Sequence, residues 1–87
     1  MQLRKIQGSS LATEVDGELV MIHADTGRFF ALRDVGLAVW QALDSEHDLD
    51  AITSRLAADY AVDAETCRAD VTAFAAQLVE AGFAEYA

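Results

Sequence analysis

The sequence predicts an α+β domain, a three-stranded antiparallel meander followed by three helices. Three observations carry this. Two turn signals in the first third of the chain separate short segments of strand composition. From Asp34 onward the apolar residues recur at helical rather than strand spacing. Asp34, Asp48 and Asp63 each precede one of three such segments, where helix N-caps belong.

Residues 1–10 (MQLRKIQGSS) read as loosely ordered and close on Gly8, Ser9 and Ser10. The first strand is LATEV (11–15) and the second is ELVMIHA (18–24), joined by Asp16-Gly17. That dipeptide suits a type I′ turn, which needs positive φ at both central residues. Gly27 is placed for the left-handed residue of a three-residue loop closed by a bulge. The third strand, RFFALR (28–33), follows. Alternation puts Phe30 and Leu32 on one face and Phe29 and Ala31 on the other, and the first pair is expected in the core. The first helix starts at an Asp34 cap and sets Leu37, Trp40 and Leu43 on one side, with Gly36 weakening its first turn. The second follows Asp48 with Leu49, Ile52, Leu56 and Tyr60 on one face. The third follows Asp63 and runs to about Ala81, its inward stripe being Cys67, Val71, Phe74, Ala75 and Leu78. Gly82 stands where a C-terminal capping glycine belongs, with Phe83 next to pack back on the last turn.

With 87 residues and no linker, repeat or low-complexity segment, one domain over residues 1–87 is expected. Hydrophobic residues make up 53% of the chain, which supports a packed core and argues against disorder. The formal net charge of −9 disfavours nucleic acid and anionic membrane, whose affinity rests on lysine and arginine. It suits a partner that carries lysine or arginine. No apolar run reaches the roughly 20 residues of a membrane span, and no signal peptide is visible, so a cytoplasmic protein is expected.

Chemistry-bearing residues are sparse. Cys67 is the single cysteine, which leaves neither a disulfide framework nor a cysteine-rich metal site, and it reads as a small buried hydrophobe. His23 in the second strand and His47 in a loop lack neighbours suited to metal binding or general base work. DSEHDLD (44–50) has the alternating carboxylates of a calcium loop but not its central glycine or distal glutamate. No cofactor motif appears. The chain reads as a binding protein, not an enzyme, with no catalytic residue, metal or cofactor.

A three-stranded meander has two edges, and RFFALR is one of them. It carries charge only at its ends and has no proline, so nothing in it blocks pairing by another chain. Two readings stand. Either residues 1–10 cover that edge and both phenylalanines are core, or an extended peptide adds there as a further strand. Two rival functions share the outline. A winged-helix nucleic-acid binder is opposed by the third helix, which carries Glu65, Asp70 and Glu80 against Arg68. A structural subunit of a larger modifying enzyme would use the same edge and the alanine-rich helix faces, with no affinity for free peptide.

DTGRFFAL, VGLAVWQAL, LDAITSRLAADY and ADVTAFAAQLVEAGF, spaced over about Leu11 to Phe83, together resemble the PqqD-like family. Its members are recognition elements for ribosomally made, post-translationally modified peptides. The resemblance implies a winged-helix-like domain that holds the leader segment of a precursor peptide. It implies that the leader pairs with the third strand at Arg28, Phe29, Phe30, Ala31 and Leu32. It further implies contacts on the third helix from Arg68, Asp70, Val71, Phe74, Gln77 and Leu78. Val71, Phe74 and Leu78 also belong to the inward stripe, so core and groove are both open to them. The founding pyrroloquinoline quinone type tends to have a proline where the third strand begins, and this chain has no proline. It looks more like the stand-alone proteins of lasso-peptide clusters. The partner implied is then a cysteine-protease-like maturation enzyme, with a radical SAM enzyme as the alternative.

Overall fold

A computed structural model describes all 87 residues, Met1–Ala87. The chain runs β1 (Leu3–Lys5), β2 (Ser10–Val15), β3 (Glu18–His23), β4 (Phe29–Leu32), α1 (Asp34–Ala42), α2 (Leu49–Asp59), α3 (Ala64–Glu80) and β5 (Ala84–Tyr86). The predicted meander is β2-β3-β4, antiparallel throughout, and the three helices follow it as expected.

Local chemistry accounts for the turns. Asp16 and Gly17 have φ of 51° and 81°, the two positive values a type I′ turn needs. The next connection is longer than predicted. Gly27 is left-handed at 75°, but its N–H reaches back to the His23 carbonyl across Ala24, Asp25 and Thr26. Two of the three predicted helix caps form. Asp48 accepts from the Asp50 amide at 3.0 Å and Asp63 from the Thr66 amide at 3.1 Å. Asp34 does not cap. Arg33 takes the cap position in extended backbone, and Asp34 turns the chain from strand to helix with φ of 52°. Aspartate tolerates that left-handed conformation better than most residues. At the end of α3 the Gly82 N–H bonds the Val79 carbonyl and the Phe83 N–H bonds Leu78. This is the Schellman pattern with glycine at its left-handed position, φ 84°.

The N-terminus departs from expectation. Residues 1–10 are tied down: β1 pairs antiparallel with β5, Leu3 opposite Tyr86 and Lys5 opposite Ala84. The side chain of Leu3 is 0% exposed. Its N–H bonds the His47 carbonyl, and the Leu49 N–H bonds the Met1 carbonyl. The segment therefore joins the second sheet instead of covering β4.

One core lies between the meander and the helices. Met21 and Leu32 enter from the sheet, Val39, Trp40 and Leu43 from α1 and the loop after it, Leu49, Ile52 and Leu56 from α2, and Cys67, Val71, Ala75 and Leu78 from α3. Phe83 is its aromatic centre, with His23, Phe30 and Trp40 at ring-centroid distances of 5.4, 5.3 and 6.5 Å. Tyr60, expected on the inward face of the second helix, is exposed because α2 ends at Asp59. No helix is long and apolar enough to cross a membrane.

Candidate functional site

The predicted third strand is β4, and nothing pairs with its outer side. On its inner side the His23 N–H donates to the Arg28 carbonyl at 2.7 Å. Met21 lies opposite Phe30 and Leu19 opposite Leu32. Antiparallel pairs alternate between bonded and unbonded positions. Phe30 and Leu32 therefore spend their main-chain groups on β3, while Arg28 gives it only its carbonyl and donates its N–H to the Thr26 hydroxyl at 3.2 Å. Phe29 and Ala31 direct their N–H and C=O outward, as an unpaired row.

Beside this row lies a groove of about 420 Å³. It is lined by Phe29, Phe30, Ala31, Leu32 and Arg33, by Gly36 of α1, and by Phe74 and Gln77 of α3. Strand edge and helix thus form its two walls, with the first turn of α1 between them. Phe30 and Leu32 turn toward the core, and Phe30 packs at a tilt on Phe83. Phe29 points the other way and is 68% exposed. Leu11, Ile22 and Phe29 stand directly opposite one another across the three strands. All three are exposed, so an apolar row crosses the outer face of the sheet to the groove's edge.

The sequence-predicted residues divide into groups. Phe29, Phe30, Ala31, Leu32, Phe74 and Gln77 meet at the groove. Arg28 is exposed just before β4 and forms no ion pair. Asp70 is exposed one helical turn before Phe74, outside the lining. Arg68 is drawn elsewhere, its guanidinium 3.1 Å from Asp50 of α2. Val71 and Leu78 are 1% and 0% exposed and belong to the core. Sequence reasoning missed Arg33 and Gly36 as lining residues. The signal for Gly36 was present, since glycine in the first turn of an amphipathic helix is a locally poor choice.

The remaining hollows differ in kind. One of about 370 Å³ is lined by Arg4, Lys5, Asp44, His47 and Glu85 among others. Its charges are already matched, Arg4 to Glu85 at 2.9 Å and Lys5 to Asp44 at 2.7 Å. Another of about 450 Å³ lies between α1 and α2, away from any strand edge. No group of three or more His, Cys, Asp or Glu is placed to hold a metal ion. The Cys67 thiol is buried, with Sγ 3.7 Å from the Thr53 carbonyl. Burial first, and the Asp70 carboxylate second, push its pKa up and favour the neutral thiol.

His23 connects the two walls. The Asp25 and Thr26 amides donate to its Nδ1 at 3.1 and 3.3 Å. Nδ1 is therefore the acceptor, and Nε2–H donates to the Gly82 carbonyl at 3.1 Å. One side chain thus ties the loop before β4 to the end of α3.

Comparison with known proteins bears on the family and the fold. The family described as Coenzyme PQQ synthesis protein D (PqqD) matches residues 18–84. Among solved structures, "TbiB1 in Complex with the TbiA(beta) Leader Peptide" has a TM-score of 0.82 at 31% identity. The match covers 95% of this chain and 98% of that one. "Lasso peptide synthetase B1 complexed with the leader peptide" has a TM-score of 0.83 at 21% identity, covering 98% and 99% of the two chains. At that identity it speaks for the fold alone. No curated protein matches the sequence.

Proposed function

The chain belongs to the PqqD family, and on that premise we propose that it binds the leader segment of a ribosomally made precursor peptide and presents it to a separate processing enzyme. The leader adds to β4 as a further antiparallel or parallel strand, its main chain pairing with Phe29 and Ala31. Phe74 and Gln77 contact its groove-facing side chains, and Asp70 offers a carboxylate to a basic residue farther along. The observation that carries the reading is the juxtaposition of an unpaired, proline-free strand edge with an apolar groove. The 31%-identical TbiB1, solved in complex with a leader peptide, supports it.

The chain's own part is binding and positioning. An unstructured leader loses conformational freedom on docking, so main-chain hydrogen bonds and one or two buried side chains must offset that cost. Fixing the leader along β4 sets where its downstream end emerges, and hence where an enzyme meets it. The enzyme we favour is the cysteine-protease-like maturation protease of a lasso-peptide pathway, with a radical SAM enzyme next. The protein works in the cytoplasm, where precursor peptides are made, and uses no cofactor. Its single domain spans residues 1–87.

The exposed row Leu11, Ile22 and Phe29 favours a second reading, a structural subunit of an enzyme complex that docks through this face. One experiment separates the two. The protein is titrated with a synthetic leader from the adjacent precursor gene and followed by amide NMR. Shifts at residues 28–33 and around Phe74 and Gln77 are expected. A folded protein that binds none of several candidate leaders would leave the subunit reading in place.

A further inference from the structure

We propose that Gly36 selects the side chain that the groove admits. Its bare backbone leaves a recess one methyl deep against the ring of Phe74, which receives a bulky apolar residue of the bound strand, leucine, methionine or an aromatic. This rests on the leader-binding reading above and deepens it.

The two usual structural reasons for a glycine are both missing at this position. Gly36 is not among the residues with positive φ, so no left-handed turn demands it. A Cβ built on it would lie 3.6, 3.7 and 3.9 Å from Cε1, Cζ and Cδ1 of Phe74, ordinary van der Waals distances. Alanine would therefore fit. Alanine would also favour the helix, because glycine is the poorest helix former after proline. A locally unfavourable residue with no folding reason points to the site it borders, and Gly36 lines the groove.

The walls set the chemistry of the occupant. Phe30, Leu32 and Phe74 are apolar, while the Gln77 amide and the Arg33 guanidinium provide the polar members of the lining. In an added strand alternate side chains face the helices, so one of every two leader residues is presented to this groove. The one that meets Gly36 lies against the Phe74 ring, where a flat or flexible apolar group gains most contact. A Cβ at position 36 takes that space.

The test uses Gly36→Ala and Gly36→Leu with two labelled peptides, the TbiA(beta) leader and the leader from the adjacent precursor gene. Alanine scanning of each peptide on the unmodified protein identifies its groove residue. Binding is read by fluorescence anisotropy and folding by melting temperature. Gly36→Ala is expected to melt higher yet bind about tenfold more weakly or worse, the range one methylene commands in an apolar pocket. Gly36→Leu is expected to abolish binding while remaining folded. A peptide whose groove residue is trimmed to alanine should bind the unmodified and Gly36→Ala proteins equally. Unchanged affinity in Gly36→Ala overturns the proposal. So does a lower melting temperature that accompanies the affinity loss, since the glycine is then structural. If the unmodified protein binds neither peptide, the leader-binding reading itself falls, an outcome distinct from both.

Discussion

Gly82 meets two demands that no other residue can meet together. Its φ of 84° lies in the left-handed region, and a Cβ there would come within 2.9 Å of His23 Nε2. The first demand ends α3; the second lets the His23 ring reach the Gly82 carbonyl. We expect Gly82→Ala to destabilise the protein by about 2–4 kcal/mol, combining left-handed strain with displacement of a packed ring. Urea denaturation measures this, and a loss under about 0.5 kcal/mol would show that the ring yields freely. The capping role of Gly82 was legible because it depends on neighbours in sequence. Its partnership with His23 was not, because 59 positions separate the two and no local pattern links them. The same distinction explains the caps. Asp48 and Asp63 follow the local rule, while Asp34 is overruled by the sharp turn out of β4.

At the scale of elements, β4 assigns different work to successive residues. Phe30 bonds inward to β3, whereas Ala31 points its N–H to the free edge. Ala31→Pro therefore removes no ladder bond and suits an edge position. We expect it to change stability by no more than about 1 kcal/mol and to weaken leader binding about tenfold or more, since a donor is lost and a ring blocks the approaching strand. Phe30→Pro removes a ladder bond and a core ring, and should fail to fold. Urea midpoints and peptide anisotropy on both variants check this; an Ala31→Pro protein that is folded and binds normally would refute strand addition. Period-2 and period-3.6 patterns made β2–β4 and α1–α3 readable. β1 and β5 span three residues each, too short to show a period, and they pair across almost the whole chain. The groove was readable on its strand wall for the same reason. Its helix wall was blurred because groove and core residues adjoin on α3, where Phe74 lines the groove and Val71 and Leu78 are buried.

For the whole molecule, the N-terminal segment closes a small domain whose stability margin is thin. Leu3 is wholly buried, the Ile6 N–H bonds the Phe83 carbonyl, and the Ala87 N–H bonds the Gln2 carbonyl. Both chain ends are thus fixed around Phe83, the ring that also carries Phe30 of β4. The groove's strand wall and the remote β1–β5 ribbon share one core, so they should melt together. Leu3→Ala removes a buried side chain and leaves a cavity, at about 2–5 kcal/mol. Toward the low end of the about 5–15 kcal/mol of an ordinary domain, where a chain this short belongs, that is enough to unfold a measurable fraction. Trp40 sits in the core 6.5 Å from Phe83 and reports the transition by fluorescence. We expect the Leu3→Ala urea midpoint to fall, with Trp40 fluorescence and leader binding lost at the same midpoint. Leu3 lies outside the groove lining, so leader affinity well below that midpoint should match the unmodified protein. A Leu3→Ala midpoint equal to that of the unmodified chain, or separate midpoints for the two signals, would mean that the ribbon is an appendage and the groove stands on the meander and helices alone.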